Sequence, residues 1–145
     1  MDVHSPEQRT FNMSRIKGVN TKPEMLVRRW LWANGYRYRL HARELPGKPD
    51  IVFRGSKAAI FVHGCFWHRH GCRYATMPAT KQDFWIKKFR QNTDRDKRNI
   101  QHLQMEGWRV LILWECEIKK DFERVEFKLR EFLGLFSRIN TKDEL

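Results

Sequence analysis

The chain has 145 residues, of which 41% are hydrophobic, and this size and composition suit one folded domain rather than a disordered chain. Its 29 Lys and Arg residues outnumber 17 Asp and Glu, and the formal net charge of +12 favours a polyanionic partner such as nucleic acid. The sequence contains no apolar run near the roughly 18 residues that a membrane-spanning helix needs, which argues against an integral membrane protein.

The first segment, residues 1–20, is polar with scattered basic residues and is predicted to form an N-terminal arm that contacts DNA. Residues 21–145 show no linker or internal repeat, so we assign them to a single domain. This domain begins with Thr21 followed three residues later by Glu24, a capping-box pattern that predicts a helix to about Ala33.

Hydrophobic periodicity gives the elements that follow. They are a strand at 36–40, a hairpin of strands at 50–53 and 58–62, a helix from a second capping box (Thr80, Asp83) to Glu106 with a break near 91–92, a strand at 108–114 and a helix at 122–136. The order α-β-β-β-α-β-α predicts an α/β fold with a single mixed sheet flanked by helices.

The run His63–Cys72 between the hairpin and the next helix is too rich in imidazoles and thiols for a packed core. It contains Cys65, His70 and Cys72, and Cys116 follows the last predicted strand. Three thiolates and one imidazole are the ligands of a closed tetrahedral zinc site, so we predict a structural Zn²⁺ that fixes this loop. The alternative is that Cys116 is a buried core thiol and the loop binds no metal.

Candidate catalytic residues lie at the two ends of the predicted hairpin. Asp50 begins one strand and His63 ends the other, so both are expected at one edge of the sheet. A carboxylate and a backbone carbonyl from the facing strand are suitable ligands for Mg²⁺, and the imidazole of His63 or His68 can exchange a proton with water. Asp50 alone is better explained as a turn residue after proline, but the nearby histidines reverse this and favour phosphodiester hydrolysis.

Aromatic residues beside these histidines indicate how DNA could be read. Phe66 and Trp67 lie within the loop, and Trp85 opens the helix that follows. Aromatic side chains can wedge between bases, at an unstacking cost that is lowest where the base pair is already weak. The alternative for Trp85 is packing in the core of its helix.

The sequence resembles the very short patch repair endonucleases, bacterial enzymes that nick DNA at T:G mismatches, in four segments: 45–50, 61–68, 92–96 and 107–110. The resemblance extends from about Arg9 to Cys116. It implies a restriction-endonuclease-like fold in which Phe61-Val62-His63 stands where related nucleases have Glu-x-Lys.

The resemblance also implies roles for individual residues. Asp50 and the backbone carbonyl of Val62 would ligate Mg²⁺, while His63, His68 and Asp96 would surround the attacking water. His68 would be the general base, held in its productive tautomer by Asp96. Without the resemblance, Asp96 belongs to a charged stretch that is better explained as a solvated helix face.

Two further residues gain a role through the resemblance. Glu24 is either the carboxylate of the helix cap or an accessory acid of the active site, and one carboxylate can serve both purposes. Met13, in the arm, would enter DNA from the minor-groove side, opposite the aromatic residues Phe66, Trp67 and Trp85.

The resulting hypothesis is a Mg²⁺-dependent DNA endonuclease that nicks one strand next to a T:G mismatch and so starts very short patch repair. We expect a cytoplasmic, nucleoid-associated bacterial monomer, with a cytosine methyltransferase and mismatch-repair proteins as functional partners. Two alternatives remain open: a zinc-stabilised DNA-binding module without catalysis, and a restriction-type nuclease that cuts both strands of matched DNA.

Overall fold

A computed structural model describes residues 20–70 and 76–143, without the side chains of Trp67 and of residues 135–143. Its elements are helix α1 (Lys22–Ala33), strands β1 (Arg39–Leu40), β2 (Ile51–Phe53) and β3 (Ala58–His63), helices α2 (Cys65–His68) and α3 (Gln82–Met105), strand β4 (Arg109–Trp114), and helices α4 (Glu115–Lys120) and α5 (Phe122–Asp143). None of the helices in these ranges is both long enough and apolar enough to cross a membrane.

The described strands form one sheet in the order β1-β2-β3-β4. β1 and β2 are antiparallel, as are β2 and β3, whereas β3 and β4 run parallel. The prediction of a single mixed sheet is therefore confirmed. In the parallel pair, His63 lies directly opposite Trp114, so both strands end at the same edge of the sheet.

Side chains alternate between the two faces of the sheet, and each face is covered by helices. One core joins β2, β3 and β4 to helices on one face, and its fully buried members include Val27, Leu31, Ile51, Ile60, Leu113, Val125 and Leu129. The other core joins the opposite sheet face to α3 and contains Ala42, Val52, Ala59, Phe61, Leu103 and Trp108. Burying each large aliphatic side chain stabilises the fold by roughly 1.5–3 kcal/mol, so both faces hold the sheet in place.

The long helix α3 differs from its prediction in two respects. The capping box of Thr80 and Asp83 is wrong, because the N-cap is Lys81, which has a left-handed φ of 55° and makes no side-chain capping bond. The break near 91–92 is also wrong, because α3 is continuous there. Asn92 is buried within the helix and its side-chain oxygen accepts a 3.2 Å hydrogen bond from Arg95, so its tertiary environment overrides the low helix propensity of asparagine.

Three other segments also differ from their predictions. The predicted strand at 36–40 shrinks to β1, since Tyr36 and Tyr38 place their rings against Phe53 before the strand begins. The cysteine-histidine segment, predicted as a loop, contains the short helix α2, and the last helix extends beyond 136 to Asp143. Of the predicted N-terminal arm, residues 1–19 lie outside the described ranges.

Candidate active site

Asp50, the residue before β2, is fixed by a backbone group of β3. The amide of Val62 donates a 2.8 Å hydrogen bond to the Asp50 carboxylate oxygen Oδ2. Glu24, on α1, is 1% exposed, and its carboxylate lies close to that of Asp50. These two side chains are called the carboxylate pair. Burial, together with the charge of Glu24, raises the pKa of Asp50 from 3.8 to about 7, although the hydrogen bond from Val62 opposes this rise.

The other contacts of Glu24 show how the carboxylate pair is held. Its backbone amide donates a 3.4 Å bond to the Thr21 hydroxyl, as a helix cap requires. Its side-chain oxygen Oε2 lies 3.0 Å from Nε2 of His41 and accepts a 3.2 Å bond from Arg28. Glu24 thus takes part in the cap through its backbone while its carboxylate faces Asp50 and His41.

His63 and His68 form a stacked pair at the end of β3. His63 is the last residue of β3 and His68 the last residue of α2, and their ring centroids lie 3.7 Å apart with an interplanar angle of 4°. These two side chains are called the histidine pair. Nδ1 of His68 lies 2.5 Å from Oδ2 of Asp96 on α3. The side chain of Asp96 is 19% exposed, so it does not belong to a fully solvated helix face.

The histidine pair has an uneven electrostatic environment. Burial lowers the pKa of His63 to about 3, the positive charge of His68 contributes to this decrease, and Asp96 partly offsets it. His63 is therefore neutral at pH 7. A neutral His63 can stack on His68 without bringing two like charges together, and the carboxylate of Asp96 contacts the ring of His68.

The carboxylate pair and the histidine pair lie at the same end of β3. Val62, whose amide binds Asp50, immediately precedes His63 in the chain. The structure thus brings Asp50, His63, His68 and Asp96 to one region, although they come from a strand end, a short helix and a long helix. An acid, a proton acceptor and a group that orients it are the components of general acid–base hydrolysis.

A second group of side chains lies beside the histidine pair. Nδ1 of His70 is 3.3 Å from the sulfur of Cys116 and 3.8 Å from that of Cys65. Cys65, His70 and Cys116 are called the Cys/His cluster, and their ligand atoms all lie within 4.8 Å of one another. Two thiols and an imidazole at this spacing suit Zn²⁺, and Cys72, the fourth predicted ligand, lies outside the described residues.

Phe66 and Trp85, two of the aromatic residues predicted to wedge between DNA bases, contact each other where α2 packs on α3. The ring of Phe66 lies 5.7 Å from that of Trp85 and 5.1 Å from that of Phe89, in edge-to-face contacts. Trp85 also stacks on Phe89, so it packs in its helix and remains half-buried beside Phe66. The Trp67 side chain and the whole of Met13 lie outside the described part of the chain.

Sequence comparison places this arrangement in a family. Residues 1–74 match the profile of the DNA mismatch endonuclease Vsr family. The nicking enzyme V.XorIIP of Xanthomonas oryzae pv. oryzae is 46% identical over 132 residues, which cover 91% of this chain and 96% of that enzyme. The chain belongs to the Vsr family. The DNA mismatch endonuclease Vsr of Escherichia coli K12 is 42% identical over 118 residues, 81% of this chain and 76% of that protein.

This Vsr family member is therefore a DNA endonuclease, as predicted. A further relative, the nicking enzyme V.NmeAIP of Neisseria meningitidis serogroup A, is 42% identical over 118 residues, which cover 81% of this chain and 84% of that enzyme. Its name, like that of V.XorIIP, describes a nicking enzyme, so family membership supports a DNA nicking activity.

Sequence reasoning about this Vsr family member missed His41. Leu40 pairs with Ile51, so His41 comes opposite Asp50, and its amide donates a 2.9 Å bond to the Asp50 backbone carbonyl. No local sequence pattern marks His41, and only the register of β1 against β2 in the structure identifies it. Because the ligand atoms of His41, Glu24 and Asp50 lie within 4.8 Å of one another, His41 joins the carboxylate pair as a third potential donor.

Proposed function

We propose that this Vsr family member nicks one strand of double-stranded DNA beside a T:G mismatch, with Mg²⁺ as its catalytic cation. The observation that carries this proposal is the arrangement around the end of β3, where the Asp50 carboxylate binds the Val62 amide and the next residue, His63, stacks on His68. The E. coli relative is named a mismatch endonuclease and the Xanthomonas relative a nicking enzyme, and the proposal combines these two properties.

The donor set around Asp50 fits a hard divalent cation. The carboxylate oxygens of Asp50 and Glu24 are hard ligands. Burial, and in addition the charge of Glu24, raise the pKa of Asp50, and a bound cation would favour the ionised carboxylate against both effects. The carbonyl of Val62 points to the same side of β3 as its amide, because the two groups of one strand residue share an edge. Mg²⁺ held by Asp50 and Val62, with Glu24 as an accessory acid, would supply charge stabilisation at the scissile phosphate.

The histidine pair and Asp96 supply the proton transfer. Asp96 accepts a hydrogen bond from Nδ1 of His68, which leaves the lone pair of Nε2 free to take a proton from water. As that proton leaves, the water oxygen bonds to phosphorus and one phosphorus–oxygen ester bond breaks. The leaving oxygen takes a proton from a solvent water, and His68 returns its proton to the hydroxide so formed. His63, neutral because of its lowered pKa, supports His68 by stacking on it.

Replacing Asp96 tests this proton pathway. Asp96→Asn is expected to lower the single-turnover nicking rate by roughly 10²-fold, because an amide neither stabilises the protonated imidazole nor fixes the same tautomer. Asp94→Asn is the matched control, since Asp94 is an exposed residue of the same helix. A wild-type rate for Asp96→Asn would show that Asp96 does not act on His68.

We further propose that the Cys/His cluster, completed by Cys72, holds a structural Zn²⁺. Only Gly64 separates Cys65 from the end of β3. The backbone amide of Cys65 donates a 3.3 Å hydrogen bond to the carboxylate of Glu115, the residue before Cys116. A metal at this position would join the ends of β3 and β4 and fix α2, which carries His68.

DNA recognition is proposed to combine charge with aromatic wedging. The net charge of +12 supports phosphate contacts, and the arm of residues 1–20 would add Met13 from the minor-groove side. Phe66, Trp67 and Trp85 would wedge at the mismatch, where unstacking costs least. We also propose that the protein acts as a monomer on the nucleoid in the bacterial cytoplasm, together with a cytosine methyltransferase and mismatch-repair proteins.

One nicking assay tests the proposed function against both alternatives. Duplexes with and without a T:G mismatch, each strand carrying a different fluorophore, are incubated with the protein and Mg²⁺. We expect cleavage of the thymine strand of the mismatched duplex only. A DNA-binding module would shift both duplexes in a gel and cut neither, and a restriction-type nuclease would cut both strands of matched DNA. Either of these results would contradict the proposal.

A further inference from the structure

We infer that Trp114 is a positioning residue for the histidine pair: its indole ring, supported by His70 of the Cys/His cluster, holds His63 in the orientation that stacks on His68. This inference rests on the proposed function, because it assigns Trp114 an effect on the nicking rate.

The first observation is a continuous series of ring contacts. The ring of His70 stacks on Trp114 at 4.2 Å and 5°. Trp114 meets His63 at 5.2 Å and 72°, an edge-to-face contact, and His63 stacks on His68 at 3.7 Å and 4°. The series therefore joins the Cys/His cluster to the residue that contacts Asp96.

The second observation concerns how His63 is held. His63 is 6% exposed, and its Nδ1 is buried without a hydrogen-bond partner among the described residues. Hydrogen bonds usually fix the ring of a catalytic histidine, as Asp96 does for His68. For Nδ1 of His63 that restraint is replaced by packing against neighbouring rings, namely Trp114, His68 and Phe61 at 5.5 Å. The orientation of His63 consequently depends on the rings around it.

The third observation is that the backbone places Trp114 directly beside His63. The two residues are direct partners in the parallel pairing of β3 and β4. Cys65 and Cys116 each lie two positions beyond these partners, and both contact the same imidazole, that of His70. The strand pairing before the ring contact and the shared contact with His70 beyond it therefore keep the two strand ends next to each other, which places the indole beside His63.

Trp108 provides a matched control for a purely structural tryptophan. It lies just before β4, is buried, and belongs to the core on the α3 face of the sheet. Trp108→Leu is expected to lower the melting temperature while leaving kcat close to the wild-type value. Comparing substitutions at Trp108 and Trp114, which are six residues apart, therefore distinguishes a loss of stability from a loss of catalysis.

The test compares Trp114→Leu, Trp114→Phe and Trp108→Leu in steady-state nicking of the T:G duplex with Mg²⁺. Trp114→Leu, which loses the planar ring, is expected to lower kcat roughly 10–100-fold with little change in KM, since a displacement of about 1 Å in a reacting group can cost about 10²-fold. Trp114→Phe keeps a planar ring and is expected to recover most of that loss. Wild-type kcat in both Trp114 variants would overturn the inference.

A double-mutant cycle shows whether Trp114 acts through His63. In a His63→Ala background, Trp114→Leu is expected to cause no further loss of the single-turnover rate, because its target is already gone. A full, additive loss in that background would overturn the inference. These outcomes differ from failure of the proposed function, which would appear as absence of nicking by the wild-type protein itself.

Discussion

Asp50→Asn is expected to lower the nicking rate by roughly 10³-fold or more, because it removes the carboxylate proposed to hold the cation that stabilises charge in the transition state. The same change is expected to stabilise the metal-free protein above pH 7. The asparagine oxygen can still accept the bond from the Val62 amide, while the amide nitrogen can donate to the carboxylate of Glu24. A repulsive pair thus becomes a hydrogen-bonded one.

The pH dependence of this stability follows from the raised pKa of Asp50. Between pH 3.8 and about 7, the carboxyl group binds a proton more readily in the folded chain than in the unfolded chain. The contribution of Asp50 to the free energy of unfolding is therefore largest below pH 3.8, and it is lost progressively as the pH rises from 3.8 to about 7. At pH 8 we expect metal-free Asp50→Asn to exceed the wild type by roughly 1–3 kcal/mol in free energy of unfolding.

Urea unfolding at pH 5 and pH 8, in the presence of a chelator, measures this effect. The stability difference between Asp50→Asn and the wild type should grow from pH 5 to pH 8. Mg²⁺ should then stabilise the wild type at pH 8 and leave the variant unchanged, because binding to the folded state alone shifts the unfolding equilibrium. Glu44→Gln is the control, since this exposed carboxylate pairs with Arg54 and belongs to none of the candidate ligand groups of the described residues. A less stable Asp50→Asn at pH 8, or normal nicking, would contradict the assignment.

The sheet was predictable because its strands carry strong local signals. The apolar residues of β2 and β3 are separated by a polar turn, and β4 is an apolar run that begins soon after Gly107. Short apolar runs bounded by turn residues are the main strand signal that a sequence carries. The helices α2 and α4 were missed because four- and six-residue helices have little intrinsic stability and are set by their packing.

The candidate site was only partly predictable because it depends on long-range contacts. Asp96 is 28 residues from His68, and Cys116 is 46 residues from His70. No local pattern specifies such pairs, and only the family resemblance joined Asp96 to the histidines before the structure was known. His41 was missed because identifying it required the register of β1 against β2, a tertiary property that two residues of strand do not encode.

Cys116→Ala is expected to lower both the stability and the nicking rate of the protein. The Cys/His cluster joins the end of β3 to the start of α4, directly beyond the paired residues His63 and Trp114. If it holds Zn²⁺, it acts as a covalent cross-link, and removal of a comparable native cross-link costs roughly 2–5 kcal/mol. His68 lies in a four-residue helix that cannot persist alone, so loss of the cross-link should also displace the imidazole proposed as the general base.

Metal analysis, thermal unfolding and nicking assays on the same preparations measure these three effects. The wild type should contain one Zn²⁺ per chain, and Cys116→Ala should contain much less. A zinc chelator should lower the melting temperature and nicking rate of the wild type, and should have little further effect on the variant, because the chelator and the substitution remove the same cross-link. If Cys116 is only a core thiol, the variant should lose about 1 kcal/mol, remain active, and match the wild type in metal content, and that result would contradict a structural zinc site.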